Sequence, residues 1–198
     1  GESLDCRGYT AYPGFIDAHT HFDLDVCNTT TADDFTTGSR AALKGGTTTV
    51  IDFACPNKGE TLHDGLRLWH EKADGKCACD YGFHMTIDDW NESIESELDA
   101  MFDAGITSFK MYLTYPAMMI GDGAVYSALK ALKKRGGIAG VHCENAGVID
   151  ARIAESVHEF GASPMLSGRG SYLASVAVNF LFRKIGCRWR VTLDDEVI

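Results

Sequence analysis

Apolar, β-branched segments alternate with amphipathic segments along most of this 198-residue chain. The clearest pair is the apolar stretch 47–54, TTTVIDFA, followed by the helical pattern of residues 61–75, which ends near Gly75. Because nearly all of the apolar segments lack polar alternation, they are typical of parallel strands that are covered on both faces. The alternation predicts five consecutive strand–helix units, with strands at 15–19, 47–54, 78–87, 106–113 and 138–144 and helices at 31–46, 61–75, 91–105, 123–137 and 146–161.

Five such units are compatible with a doubly wound open sheet or with part of a (β/α)8 barrel. No G-x-G-x-x-G turn follows the first strand, which disfavours the dinucleotide-binding version of the open sheet. Thr31 is predicted to cap the first helix, with Asp34 completing a variant of the capping box. In both architectures, ligands gather at the carboxyl ends of the strands, so the residues at those ends are the candidates for function.

Composition restricts the classes of partner and compartment. The formal net charge of −10 argues against nucleic acid or an anionic membrane as a partner. No apolar run is long enough to span a bilayer, and the polar opening GESLDCRGYT predicts no signal peptide. Seven scattered cysteines do not resemble a disulfide framework, which favours a reducing cytoplasm. Cys77 and Cys79 are interpreted as small apolar residues on one face of a buried strand, rather than as metal ligands.

The first strand ends in a pair of histidines, within GFIDAHTHFDLD. Successive side chains of a strand point to opposite faces, so His19 and His21 are predicted to point the same way. Two adjacent imidazoles would form half of a metal site, since imidazole is a common zinc ligand. The alternative is a surface strand end with two unrelated histidines.

Two later strands also place candidate ligands near their carboxyl ends. Lys110 lies in the apolar strand SFKMYL, where burial favours an uncharged amine that can add carbon dioxide to form a carbamate. The alternative for Lys110 is a side chain that extends to the strand edge and keeps its charge in water. His142 and Glu144 end the fifth strand, in VHCEN. The other histidines, His63, His70, His84 and His158, are not predicted to be metal ligands.

Taken together, HTH after the first strand, FKMYLTY at the fourth and VHCEN at the fifth resemble the amidohydrolase superfamily. The similarity is greater to its dihydropyrimidinase and D-hydantoinase family of cyclic amide hydrolases. It covers nearly all of residues 13–164, including KGGTTTVIDFA and GIAGVHCENAGVI. The resemblance implies a TIM-like (β/α)8 barrel, of which this chain contains about five units.

The resemblance also implies roles for individual residues. His19 and His21 would hold the more buried of two divalent ions, most simply Zn²⁺, and His142 would bind the second. Lys110, carboxylated by carbon dioxide, would bridge the two ions. Tyr115 would bind the substrate and direct its hydroxyl at the oxyanion that forms during ring opening. Asp17 and Glu144 would orient the ligand histidines.

The implied reaction is hydrolysis of the cyclic amide of a dihydropyrimidine or a 5-substituted hydantoin to an N-carbamoyl amino acid. Dihydroorotases, which are similar, follow the histidine pair with an arginine that holds a carboxylate, whereas Phe22 and Asp23 follow it here. We therefore expect a neutral ring as substrate. Alternatives are another cyclic amidohydrolase, such as an allantoinase, and a metal-free scaffold related to dihydropyrimidinase. The resemblance implies that the full-length parent is a homotetramer.

The family pattern contains residues that this sequence lacks. A further ligand histidine is expected after a sixth strand, and an aspartate that acts as general base after an eighth. Residues 1–14 are interpreted as the remnant of a flanking segment, 15–164 as the first part of the barrel, and 165–198 as an anomalous tail with a net positive charge. We therefore expect residual metal binding and little turnover from these 198 residues alone. Glu144 or Asp52 would be the alternative base if turnover were found.

Overall fold

The threonine-rich segment that opens the second predicted unit forms a strand with the predicted bounds. Strand β4 spans Thr47–Ala54. Its β-branched residues suit extended backbone, because branching at Cβ restricts the side chain in a helix and packs well on a pleated surface. The strand becomes more buried toward its carboxyl end, where Asp52, Phe53 and Ala54 are all buried. The burial pattern thus places the polar carboxylate of Asp52 in the interior.

A computed structural model describes residues 3–26, 29–151 and 154. In chain order its elements are β1 (Phe15–Thr20), β2 (Asp25–Val26), β3 (Thr29–Thr30), α1 (Phe35–Lys44), β4 (Thr47–Ala54), α2 (Leu62–Ala73), β5 (Asp80–Thr86), α3 (Glu92–Asp103), β6 (Ser108–Tyr112), α4 (Asp122–Lys134) and β7 (Ile138–His142). Residues 146–151 begin the fifth predicted helix. The predicted tail at 165–198, and His158, lie outside the described residues.

The sheet has the order β1-β4-β5-β6-β7. The pairs β1–β4, β5–β6 and β6–β7 are parallel, and helices connect the successive strands of this sheet. The predicted class is therefore confirmed, since this is the arrangement of the first five units of a (β/α)8 barrel. A separate two-stranded antiparallel pair, β2–β3, lies in the segment after β1 and was not predicted.

The helices end and begin as their sequences indicate. Asn91 caps α3 by accepting a hydrogen bond from the Ile94 amide, and Ile94, Leu98 and Met101 form its buried stripe. Two lysines, Lys133 and Lys134, occupy the last turn of α4, where positive charge suits the helix dipole. These features leave one apolar face on each of the two helices for packing.

Two local predictions are wrong. Asp34, not Thr31, caps α1: its side chain accepts from the Thr37 amide while the Thr37 hydroxyl accepts from the Asp34 amide. Thr31 instead bonds to Leu24 through both its amide and its hydroxyl oxygen, which closes the β2–β3 segment. The other error is the placement of Cys77 and Cys79 on a buried strand. Strand β5 begins only at Asp80, so both cysteines precede it, and both are half-buried.

The chain divides into two compact units. Among the described residues, the first comprises those of 1–52 and 70–82, and the second those of 53–69 and from 83 onward. In the first unit the ring of Phe35 packs edge-on against Phe22 and Tyr81. In the second, the core includes large fully buried side chains from α3, α4, β5 and β6: Met85, Leu98, Met101, Phe109, Met111 and Leu132. No helix among the described residues is both long and apolar enough to cross a membrane.

Truncation of a core leucine tests this assignment of the interior. Leu98 on α3 is fully buried, so Leu98→Ala should lower the free energy of unfolding by about 2–5 kcal/mol. The same substitution at Leu43, which is 40% exposed on α1, should cost much less. Urea denaturation measures both variants. Equal losses would contradict the burial of α3.

Candidate metal centre

His19 in the first strand and His21, just beyond its last residue, converge at the carboxyl end of β1. The Nε2 atoms of His19 and His21 are 3.1 Å apart, and the rings meet edge to face with centroids 5.0 Å apart. Thr20 between them is buried on the opposite face, as the alternation of a strand requires. The two imidazole edges therefore point toward a common position.

This separation fits two ligands of one metal ion. Two nitrogens that bind Zn²⁺ at about 2.0–2.1 Å, with a near-tetrahedral angle between them, lie about 3.3 Å apart. The observed 3.1 Å between the Nε2 atoms is close to that value. The donor set also suits the ion, because neutral imidazole is a common zinc ligand.

The backbone around the histidines is held by two carboxylates. Asp17 accepts a hydrogen bond from the His19 amide, 3.1 Å away, through an exposed side chain. Asp52 accepts from the hydroxyl of Thr20 and from the amide of Phe22, each at 2.8 Å. That Asp17 orients a ligand imidazole stays a prediction, since its observed hydrogen bond is to the backbone of His19. In the sequence, Asp52 stands out as a carboxylate near the end of an otherwise apolar strand.

In the second unit, Lys110 is buried on β6, with only 3% of the residue exposed. Its Nζ atom lies 5.3 Å from the ring centroid of Phe53 and 5.3 Å from that of Tyr112. Aromatic faces attract an ammonium ion, and they also exclude water from the amine. The alternative of a lysine that extends to solvent at the strand edge does not describe this side chain.

His142 ends β7 beside Lys110's strand. In the β6–β7 ladder, Tyr112 is the partner of His142, and their rings stack with centroids 5.8 Å apart. The Nε2 atom of His142 lies 2.8 Å from Oε2 of Glu144, as expected of a carboxylate that orients a ligand imidazole. Tyr112 was not anticipated as part of this group.

Tyr115 lies in the turn after β6 with a left-handed backbone. Its φ of +65° is unusual for a residue other than glycine and costs on the order of 1–2 kcal/mol. The Tyr115 carbonyl accepts hydrogen bonds from the amides of Met118 and Met119, which stabilise the turn. Its ring centroid is 5.0 Å from that of His142, and the residue is 36% exposed. The turn therefore presents the tyrosine next to a candidate ligand while keeping it accessible.

One buried acid at a strand end was missed. Asp88 follows β5 by two residues and is only 4% exposed. Desolvation raises its pKa to about 6, an effect that the nearby Asp89 and Glu60 reinforce and Lys58 opposes. The sequence signal was a pair of acids, Asp88 and Asp89, directly after an apolar run.

The candidate ligands thus form two groups, one in each compact unit. His19 and His21 form the first group, and Lys110 and His142, with Tyr115 beside them, form the second. Within residues 3–26, 29–151 and 154, no set of three or more histidine, cysteine, aspartate or glutamate side chains is arranged to hold a metal ion. The candidate ligands in this part of the chain therefore occur as pairs rather than as larger sets.

Comparison with known proteins identifies the family. The model of the amidohydrolase family matches residues 10–172, which is most of the chain. The chain belongs to the amidohydrolase family. This family is metal-dependent, in agreement with the histidine geometry at the end of β1.

Curated relatives narrow the similarity within the amidohydrolases. The chain is 39% identical to a D-hydantoinase of Streptomyces coelicolor over 166 residues, which are 83% of this chain and 36% of the relative. It is 40% identical to a dihydropyrimidinase of Rattus norvegicus over 148 residues, 74% of this chain and 28% of the relative. The chain therefore spans about a third of the length of these relatives.

Solved amidohydrolase structures show the same similarity in three dimensions. A dihydropyrimidinase from Brevibacillus agri superposes with a TM-score of 0.84 at 35% identity, over 90% of this chain and 40% of that structure. A D-hydantoinase from a Bacillus species superposes with a TM-score of 0.82, also at 35% identity and with the same coverage. The five strand–helix units thus correspond to part of the fold of these enzymes.

The raised pKa of Asp88 predicts a pH dependence of stability. Between its ordinary value of 3.8 and about 6, the folded protein retains a proton that the unfolded chain has released, so the free energy of unfolding falls as the pH rises through this window. At pH 7, Asp88→Asn should be more stable than the wild type by up to about 3 kcal/mol, and the difference should vanish below about pH 4. Urea denaturation across pH 3–8 measures it. Asp103→Asn, at an exposed site, is the control, and a pH-independent effect of Asp88→Asn would contradict the assignment.

Proposed function

We propose that the protein containing this chain hydrolyses the cyclic amide bond of dihydropyrimidines or 5-substituted hydantoins to give N-carbamoyl amino acids. The observation that carries the proposal is the 3.1 Å approach of the His19 and His21 Nε2 atoms at the carboxyl end of β1. Membership of a metal-dependent hydrolase family supports the metal, and the relatives named D-hydantoinase and dihydropyrimidinase support the class of substrate.

Four residues would hold two divalent ions, for which Zn²⁺ suits the imidazole donors. His19 and His21 would ligate one ion and His142 the other, with Glu144 positioned beside the His142 imidazole. Lys110 would bridge the two ions as a carbamate. To form it, the uncharged amine makes a bond to the carbon of carbon dioxide and releases one proton, which leaves an anion with two oxygen donors. When bound, the ions would act as Lewis acids that lower the pKa of water.

Tyr115 and the apolar residues around Lys110 would supply the remaining contributions. The Tyr115 hydroxyl would donate a hydrogen bond to the carbonyl oxygen of the ring as negative charge develops on it. Phe53 and Tyr112 flank the lysine and would keep bulk water from it. In the overall reaction, water adds its OH to the ring carbonyl carbon and a proton to the ring nitrogen, and the carbon–nitrogen bond between them breaks.

Other parts of the proposal concern the setting of the enzyme. The acidic composition favours a small neutral substrate over nucleic acid or membrane surfaces, and we propose a homotetramer for the full-length parent. Cys6, Cys77 and Cys79 are free thiols, which supports a reducing compartment such as the cytoplasm.

A substrate comparison tests the proposed function. His21 is followed by Phe22 and Asp23, neither of which could hold a substrate carboxylate. The ammonium of Lys72 donates a hydrogen bond to the backbone carbonyl oxygen of Asp23. We therefore expect a neutral ring to be preferred. The purified protein that contains this chain, loaded with zinc, should hydrolyse dihydrouracil or hydantoin with a higher kcat/KM than dihydroorotate. A preference for dihydroorotate would contradict the assignment, and a wild-type protein with less than about one bound ion per chain would favour a metal-free scaffold.

The proposed hydrogen bond from Tyr115 predicts a specific kinetic defect. Tyr115→Phe removes one donor to the oxyanion, so kcat should fall on the order of 10²-fold while KM changes little. Tyr126→Phe, on the exposed face of α4, is the matched control and should keep the wild-type kcat. An unchanged kcat in Tyr115→Phe would exclude the hydroxyl from the reaction.

The proposed bridge predicts the metal content of Lys110 variants. Lys110→Arg cannot form a carbamate, because a guanidinium keeps its charge. The variant should therefore lose the metal pair, and added bicarbonate should not restore it. Lys110→Ala should behave in the same way, whereas Lys130→Arg on α4 should retain wild-type metal content by elemental analysis. Full metal content and activity in Lys110→Arg would disprove the carbamate.

A further inference from the structure

A buried carboxylate joins β4 to the segment that carries His21. Asp52 has no exposed surface. Its Oδ2 atom accepts from the Thr20 hydroxyl and from the Phe22 amide, both at 2.8 Å. Hydrogen bonds of this kind compensate a buried carboxyl group for its removal from water.

The two hydrogen bonds restrain the backbone on both sides of His21. Thr20 is the last residue of β1 and Phe22 lies beyond it, so His21 is held between two residues that bond to the same oxygen. In the β1–β4 ladder, Thr20 is also the partner of Asp52. The chain leaves the regular strand at His21, and Asp52 replaces the strand ladder as the restraint on its backbone there.

We propose that Asp52 is a positioning residue, which fixes the backbone on both sides of His21 so that its imidazole remains beside that of His19 for metal binding. This role rests on the proposed function, in which His19 and His21 bind the same metal ion. Asp52 does not contact the imidazoles in the hydrogen bonds described above, and its effect on the metal is transmitted through the main chain. Loss of such outer supports typically lowers metal affinity by about 10–100-fold.

The chemistry of the side chain provides a matched pair of variants. Both hydrogen bonds end on one oxygen, so Asp52→Asn retains an acceptor for Thr20 and Phe22 and should bind zinc nearly as the wild type does. Asp52→Ala removes the acceptor and should weaken zinc binding by at least about tenfold. Val50→Ala, a truncation at a fully buried position of the same strand, controls for lost stability.

The experiment measures zinc affinity by competition with a chromophoric chelator, using the full protein that contains this chain. The expected order is wild type, Asp52→Asn and Val50→Ala close together, with Asp52→Ala much weaker. Wild-type affinity in Asp52→Ala would overturn the proposal, and so would an equal loss in Val50→Ala. If Asp52→Ala does not fold, Thr20→Val, which removes one of the two donors, should bind zinc more weakly than Thr20→Ser.

Thr20→Ser keeps the hydroxyl, so its zinc affinity should stay near that of the wild type, while the affinity of Thr20→Val should fall. Amide hydrogen exchange of Phe22 in the metal-free protein is a readout that needs no ion. Faster exchange is expected in Asp52→Ala and not in Val50→Ala, and unchanged exchange would overturn the restraint. Absence of zinc binding by the wild type would instead overturn the proposed function.

Discussion

The parallel pairing of the strands is the constraint on which the candidate site depends. Parallel strands joined by helices bring their carboxyl ends to one edge of the sheet. In the second unit, this pairing sets Tyr112 opposite His142, and in the first it sets Thr20 opposite Asp52. Strand pairing thus holds residues about 30 positions apart in the chain opposite each other.

The environment of Lys110 illustrates how this frame determines chemistry. Alternation along β6 puts Lys110 and Tyr112 on the same face, and Phe53 at the end of β4 covers the amine from another strand. Such a buried lysine needs compensation, which the two aromatic faces provide in part. The strained backbone of Tyr115 is held by the surrounding turn, in which its carbonyl accepts hydrogen bonds from Met118 and Met119.

Local patterns predicted the features that depend on neighbours in sequence. The bounds of β4 and the convergence of His19 and His21 both follow from the properties of a single strand. Pattern alone did not predict the features that depend on distant partners. The bonds from Asp52 join residues about 30 positions apart, and the burial of Asp88 results from the packing of the second unit.

The two wrong predictions have a similar origin. Thr31 has the residue type of a helix cap, but its hydroxyl bonds to Leu24 across the β2–β3 pair, and Asp34 takes the cap. Both residues are favourable caps, so residue type could not separate them. Cys77 and Cys79 alternate as strand residues would, yet the strand begins only at Asp80.

Anomalous diffraction at the zinc edge, from crystals of the zinc-loaded protein that contains this chain, tests the central claim most directly. The account predicts one ion bound by the Nε2 atoms of His19 and His21, a second bound by His142, and density for a carboxyl group on the Lys110 amine. An ion bound elsewhere, with His19 and His21 still bonded to each other and an unmodified Lys110, would contradict it.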